Sequence, residues 1–246
     1  MQNDEQQQKN RFIELSKRAV ERNSFAFSEF LNIDEQDVLA RTKLFSALKL
    51  CGGYENAERQ IAGFCEDDIL KKDFPISLIE VSPNLQKFAD DLTHRDFLGT
   101  LMGLQIKREV LGDIIIYENC GYIFCLNSIC DYILENLIKV KHTNVKCRKI
   151  EELPIEAVKI PEKVELVVAS ERLDVIISAV YKLSRGNSQK LFSARRIFIN
   201  NKMTENTSYT LSEGDVVSAR GFGRFIYEGK ERETKKGRNV VSVRVY

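Results

Sequence analysis

A chain of 246 residues with 43% hydrophobic residues is long and apolar enough for two or three domains with cores of their own. No apolar run approaches the roughly 20 residues of a membrane span, and the polar, Gln-rich start has no signal-like apolar stretch, so neither a membrane nor a secreted protein is expected. The formal charge of +1 hides a division: residues 165–246 carry 15 Lys+Arg against 9 Asp+Glu, an excess of +6, while residues 1–164 carry 22 against 27, or −5.

Residues 1–72 read as a helical N-terminal region. Phe12, Ile13, Leu15, Ala19 and Val20 form a helical stripe, and Asp34 is the expected cap of a second helix with Val38, Leu39, Thr42 and Phe45. Phe25, Phe27 and Phe30 are expected to join the pair. Cys51-Gly52-Gly53-Tyr54 reads as a tight turn, lacking the lysine and spacing of a phosphate-binding loop. Residues 55–64 then suit a third helix with Arg59 on its exposed side.

From 73 to 150 the pattern is mixed. A strand over 76–81, a helix capped by Thr93, a hairpin of 112–117 and 121–126, a helix capped by Ser128 and a strand over 145–150 give the order β-α-β-β-α-β, a ferredoxin-like (RRM-like) middle domain. Its helices would cover one sheet face and leave the other open. Gly121-Tyr122-x-Phe124 echoes part of the base-stacking RNP1 pattern, but no basic residue precedes Gly121 and no aromatic stands at 126, so plain strand alternation is the favoured reading. Residues 151–164, with Pro154 and Pro161, read as a linker.

The C-terminal part is the most informative. Ser170 is the expected cap of a helix with Leu173, Ile176, Ile177 and Val180 inward. A second helix begins at Ser184, buries Leu191 and Phe192, and holds Arg185, Lys190, Arg195 and Arg196 on its other side. A strand over 197–199, the turn Asn200-Asn201, Lys202, a turn over 211–215 and a strand over 216–220 lead to Gly221-Phe222-Gly223-Arg224, whose glycines let the backbone come close to another molecule. A basic hairpin with Lys230, Arg232, Lys235, Lys236 and Arg238 closes the chain.

Catalytic constellations are hard to find. His94-Arg95-Asp96 resembles a kinase catalytic loop, but Leu101 stands where its metal-binding Asn belongs; a helix start with Thr93 as cap and Asp96 in the first turn explains it more simply. Six cysteines, at 51, 65, 120, 125, 130 and 147, contain no Cys-x-x-Cys pair and are joined by only two histidines, so reduced thiols, no metal and no cofactor are expected, in a cytoplasmic protein. Arg172-Leu173-Asp174 resembles the context of the pseudouridine-synthase aspartate, yet no large catalytic domain accompanies it. A non-catalytic binder leads, with an RNA-modifying enzyme of pseudouridine-synthase type and a protein-binding scaffold as alternatives.

Arg172-Leu173-Asp174, Ser184-Arg185, Ile197-x-Ile199-Asn200, Glu213-Gly214-Asp215 and Arg220-Gly221-x-Gly223-Arg224, in this order, resemble the small αL RNA-binding domain named after ribosomal protein S4. That resemblance implies a helix pair on a sheet presenting basic residues to structured RNA, and the basic excess of 165–246 agrees with it. With Cys51-Gly52-Gly53-Tyr54, Glu58-Arg59, Thr93 to Leu104, Lys107-Arg108 and Gly112-Asp113-Ile114 added, the whole chain resembles the bacterial YlmH family. The family implies an RNA-binding protein of the large ribosomal subunit, acting on peptidyl-tRNA in rescue of stalled nascent chains, and a monomer off the ribosome. The fold expected is therefore α+β and multidomain: 1–72 helical, 73–150 ferredoxin-like, 151–164 linker, 165–246 αL RNA-binding domain. Phosphate contacts are expected from Arg185, Lys190, Arg196, Lys202, Arg220 and Arg224, with Arg195 adding charge. Gln189 and Asn200 would supply hydrogen bonds, Ser184 at the start of the second helix would belong to the same RNA-binding surface, and Arg172 with Asp174 would shape it. Gln105, Arg195 and Asn201 stand where the family favours glycine.

Overall fold

The computed structural model describes residues 2–55, 57–65, 73–157 and 161–246. Its contacts divide the chain into two units, Met1–Val158 and Lys159–Tyr246. Among the described residues no helix is long and apolar enough to cross a membrane.

The first unit opens on α1 (Gln2–Arg22), which turns Phe12, Leu15 and Ala19 inward as the stripe predicts. After it the all-helical expectation fails. The chain forms β1 (Ala26–Leu31), α2 (Ile33–Ala40), β2 (Ala47–Cys51) and β3 (Gln60–Cys65), a three-stranded sheet in the order β1-β3-β2 beside two helices. The reason is burial on both faces. Ala62 and Phe64 of β3 pack with α1 and α2, while Ile61 and Cys65 enter a second core with Phe74, Leu78, Tyr122 and Phe124. A strand covered on both sides shows an unbroken apolar run, which periodicity alone cannot separate from a helix. The cap of α2 is Asn32, not Asp34: its Oδ1 accepts from the Asp34 and Glu35 amides, and Glu35 Oε2 accepts from the Asn32 amide at 2.7 Å.

The middle segment is ferredoxin-like. β4 (Ile76–Pro83), α3 (His94–Gly103), β5 (Leu111–Tyr117), β6 (Cys120–Leu126), α4 (Asn127–Asn136), β7 (Lys139–Val140) and β8 (Thr143–Ile150) form an antiparallel sheet in the order β5-β6-β4-β8-β7. Phe97 and Leu101 of α3 and Cys130 and Ile133 of α4 cover one face through Ile79, Val81, Ile123 and Cys125. Thr93 and Asp96 form the expected capping box of α3. Ser128 does not cap α4; the helix starts after Leu126, and the Asn127 amide is satisfied by the Pro75 carbonyl at 2.9 Å.

The face opposite the helices, expected to be open, is covered. Phe30, Ile61 and Cys65 from the N-terminal sheet bury Tyr122 and Phe124, leaving them 6% and 2% exposed, so the RNP1-like aromatics are core residues. Glycines make this approach possible: a Cβ on Gly112 would lie 2.7 Å from the Phe30 ring, and one on Gly53, at φ +95°, 2.5 Å from Phe124. Residues 151–157, within the expected linker, continue this packing, with Ala157 in the same core.

The second unit is a six-stranded sheet in the order β11-β10-β12-β13-β14-β9, built from β9 (Glu162–Val168), β10 (Ile197–Ile199), β11 (Lys202–Met203), β12 (Val216–Ala219), β13 (Gly223–Glu233) and β14 (Asn239–Val245). α5 (Leu173–Val180) and α6 (Arg185–Ser193) pack Leu173, Ile176, Ile177, Leu191 and Phe192 onto Ile197, Val217, Phe225, Val241 and Val243. Ser170 is not the cap of α5. The helix starts after Arg172, and its first two amides, on Leu173 and Asp174, donate to the Tyr209 and Thr207 carbonyls instead of a side chain. Ion pairs tie β9, β13 and β14 together: Lys163 with Glu231, Arg232 with Glu165, and Arg244 with Glu228.

Candidate nucleic-acid interface

The predicted residues fall into three groups in the second unit. The first shapes the helix pair. Arg172 meets Asp174 through two parallel hydrogen bonds of 3.0 Å each, the fork geometry that guanidinium and carboxylate share. The Asp174 carbonyl accepts from Ser178 and from Ser188, which is fully buried, and so binds α5 to α6. With its carboxylate held by Arg172 and only 9% of the residue exposed, Asp174 is part of the framework of the helix pair. Ser184, where the second helix was expected to begin, caps α6 by accepting from the Asn187 amide at 3.3 Å.

The second group meets at the tip of the β12–β13 hairpin. The chain turns through Arg220, Gly221 and Phe222, closed by the Phe222 amide donating to the Ala219 carbonyl at 2.9 Å, with Gly221 at φ +82° and Gly223 at φ +119°. Those angles lie in the region that excludes most side chains, so glycine is required here. Arg220 lies over the Phe198 ring at 5.2 Å and Arg224 over the Tyr246 ring at 4.2 Å. The Arg196 carbonyl accepts from the Arg220 amide, and its guanidinium lies 2.9 Å from where a Gly221 Cβ would stand. The Arg196 guanidinium thus stands beside the turn, while those of Arg220 and Arg224, at its two ends, are steadied on aromatic faces.

Arg196 reaches this tip because of how α6 ends. The Arg196 amide donates to Leu191 and the Arg195 amide to Phe192, a Schellman closure with Arg195 at φ +57°. The glycine-favoured geometry read from the sequence is adopted by arginine, at about 1 kcal/mol. Gln105 after α3, at φ +61°, and Asn201, at φ +64°, do the same. Lys182, at φ +52° after α5, is a further exposed cation that the sequence reading passed over. Arg195 pairs with Glu205 at 3.4 Å, both well exposed, a contact worth little in water.

The third group is displayed apart from the tip. Arg185, Gln189 and Lys190 are exposed along α6, with Arg185 and Gln189 one helical turn apart. Asn200 and Lys202 sit at the far end of the three-residue strand β10, about 10 Å from Ile197. Asn200 is committed within the fold: its Nδ2 donates to Asp215 at 2.7 Å and its Oδ1 accepts from the Val216 amide at 2.9 Å. It fixes the turn and is not a side chain held out for a ligand. In the terminal hairpin Lys230 and Arg232 are paired with Glu233 and Glu165, which leaves Lys235, Lys236 and Arg238 as the exposed cations of its turn.

Two family models and a curated relative match this chain. Residues 70–153 match the family model of the RNA-binding domain in YlmH, and residues 171–217 match the S4 domain. The chain is 30% identical, over 91% of its length and 88% of the relative's, to a Bacillus subtilis (strain 168) protein named "Ribosome-associated protein quality control protein P2". The chain belongs to the YlmH family. A solved structure described as "Cell division protein ylmH from Streptococcus pneumoniae" superposes with a TM-score of 0.51 at 18% identity, covering 60% of this chain and 91% of that one, and so shares its fold.

The residues that carry the YlmH resemblance in the first unit are drawn into one network. Asp113 accepts from the Tyr54 hydroxyl at 2.8 Å and from the Glu58 and Arg59 amides at 2.7 and 3.1 Å. Arg59, expected on an exposed helix face, is 9% exposed and donates to the Leu111, Phe30 and Arg108 carbonyls. Arg108 donates to the Leu111 and Gly112 carbonyls; burial and the neighbouring Arg59 pull its pKa down to about 10. Burial, then Arg108, also lowers His94 from the ordinary histidine value. In this YlmH protein the signature joins the N-terminal sheet to the middle sheet. All six cysteines are free thiols, and burial pushes Cys147 up to about 11, away from reactive thiolate.

Proposed function

We propose that this protein is a non-catalytic RNA-binding factor whose S4 domain docks on structured RNA of the large ribosomal subunit and on peptidyl-tRNA, in the rescue of stalled nascent chains. The observation that carries the reading is the placement of Arg196 beside one glycine turn and of Arg220 and Arg224 at its two ends. Guanidiniums presented this way match phosphate geometry and carry no sequence preference. Arg185, Lys190, Arg195 and Lys202 extend the positive surface, and the name of the Bacillus subtilis relative supports the ribosomal setting. The protein acts in the cytoplasm as a monomer off the ribosome and needs no cofactor.

The test is binding to isolated large subunits across a salt titration. Arg185→Ala is expected to weaken binding and, with one phosphate fewer neutralised, to lower the slope of log K against log salt by roughly 0.7–0.9. Binding and slope identical to those of the unsubstituted protein overturn the docking surface. Appearance of modified nucleosides in ribosomal RNA after incubation overturns the non-catalytic reading.

A further inference from the structure

The hairpin tip holds one side chain that neither charge counting nor the motif singled out. Phe222 is 44% exposed, whereas Phe192, Phe198 and Phe225 of the same unit are at most 2% exposed. Its neighbours on both sides are glycines at positive φ, so no side chain next to it in the chain shields the ring. A Cβ on Gly223 would meet nothing within 4 Å, and one on Gly221 would meet only the Arg196 guanidinium.

The ring is exposed yet held. Tyr181 lies 5.6 Å away at 47°, and Tyr181 in turn meets the buried Phe225 edge-on at 6.1 Å. Phe222 therefore leans on the core through one aromatic neighbour while much of its surface meets solvent. Arg220 and Arg224 flank it in the chain at two residues' distance, each laid on its own ring, and Arg196 stands beside Gly221.

We propose that Phe222 is the stacking platform for an unpaired nucleobase, with Arg196, beside Gly221, holding a phosphate of the same strand. This deepens the RNA-docking reading and rests on it. The RNA feature recognised at the tip is a loop, bulge or strand end rather than continuous duplex. Bases within a duplex are already stacked and offer no free face, whereas an unstacked base offers one to any aromatic ring. An exposed apolar ring with the Arg196 guanidinium beside the neighbouring Gly221 is a poor match for an apolar protein patch and a good match for a nucleotide, whose base is flat and whose phosphate is anionic.

Stacking and phosphate contact separate by salt. Stacking releases no counterions, so its loss lowers affinity without changing the salt slope; loss of an arginine changes both. The experiment uses the full chain with two RNAs of equal length, a hairpin with an unpaired loop and a fully paired duplex. Phe222→Leu keeps apolar contact with Tyr181 and removes the ring. It is expected to lose roughly tenfold in affinity for the hairpin, to bind the duplex unchanged and to keep its salt slope. Phe222→Tyr is expected to bind both as the unsubstituted protein does.

Since the chain contains no tryptophan, Phe222→Trp places a single indole at the tip. Its fluorescence is expected to be quenched by the hairpin and not by the duplex. Unchanged hairpin affinity in Phe222→Leu, equal losses on both RNAs, or no quenching overturns the stacking platform. Should Arg224→Ala lose affinity and salt slope while Phe222→Leu loses neither, RNA docking stands and stacking fails. Should the unsubstituted protein bind neither these RNAs nor large subunits, both readings fail.

Discussion

The signature network of the first unit and the RNA-docking surface of the second use arginine in opposite ways. In the first, Arg59 and Arg108 turn their guanidiniums onto main-chain carbonyls of Phe30, Arg108, Leu111 and Gly112. In the second, Arg185, Arg195 and Arg196 are exposed, and Arg220 and Arg224 rest on aromatic faces. A buried guanidinium with carbonyl partners holds sheets together, because leaving those partners unpaired carries a large penalty. An exposed one contributes little to folding and remains available to a phosphate. The difference teaches that basic residues must be sorted by what their N–H groups already touch before any of them is assigned to a ligand.

The largest effect that would break this division is at Arg59. Replacing it with alanine removes three donors from buried carbonyls and leaves a void, so a loss of about 3 kcal/mol or more is expected. For a unit of this size that corresponds to a melting temperature lower by roughly 6–12 °C. A melting curve unchanged in Arg59→Ala would mean that the interior arginine is not structural after all.

Next in size is the displayed pair. Arg220→Ala with Arg224→Ala forfeits two charge-assisted hydrogen-bonding groups, each worth about 1.5–3 kcal/mol to binding, so affinity for large subunits should fall by at least roughly a hundredfold. In the fold each forfeits a cation–aromatic interaction of about 0.5–1 kcal/mol. Calorimetry and filter binding on the same preparation separate the two. A variant that loses much stability and little binding would place these arginines with Arg59.

A smaller and opposed pair of changes lies at Arg195. Arg195→Gly relieves the left-handed strain at the end of α6 and is expected to stabilise by about 1 kcal/mol while weakening RNA binding by removing a positive charge. Gln105→Gly relieves the same strain after α3 with no expected change in binding. If both glycine variants behave alike in binding, Arg195 is a cap and nothing more.

What could be read in the sequence followed from locality. The capping box of Thr93 and Asp96, the start of the second helix at Ser184 and the Gly221-Phe222-Gly223 turn depend on residues within a few positions of one another, and each appears where expected. β3 did not, because its second face is covered by β4 and β6, distant in sequence, and their cover erases the alternation that marks a strand. Arg59 and Asn200 were misassigned for the same reason: their partners, Leu111 and Asp215, lie 52 and 15 residues away. Phe222 was invisible because the sequence states that an aromatic is present but not that it is left uncovered.

The smallest expected effect tests the interior side of the comparison through a neighbour. His94 is lowered from its ordinary value of 6.5, first by burial and then by Arg108. The unfolded chain therefore takes up a proton at a higher pH than the folded one. The stability contributed by keeping this imidazole neutral is fully present above pH 6.5 and is lost as pH falls below it toward the folded value. Relative to His94→Asn, the unsubstituted protein should grow less stable as pH drops below 6.5. With two histidines in the chain, proton NMR can follow His94 directly, and Arg108→Met should move its titration upward while burial keeps it below the ordinary value. A His94 titration untouched by Arg108→Met would show that the interior guanidinium acts through its hydrogen bonds alone, with no electrostatic reach into the N-terminus of α3.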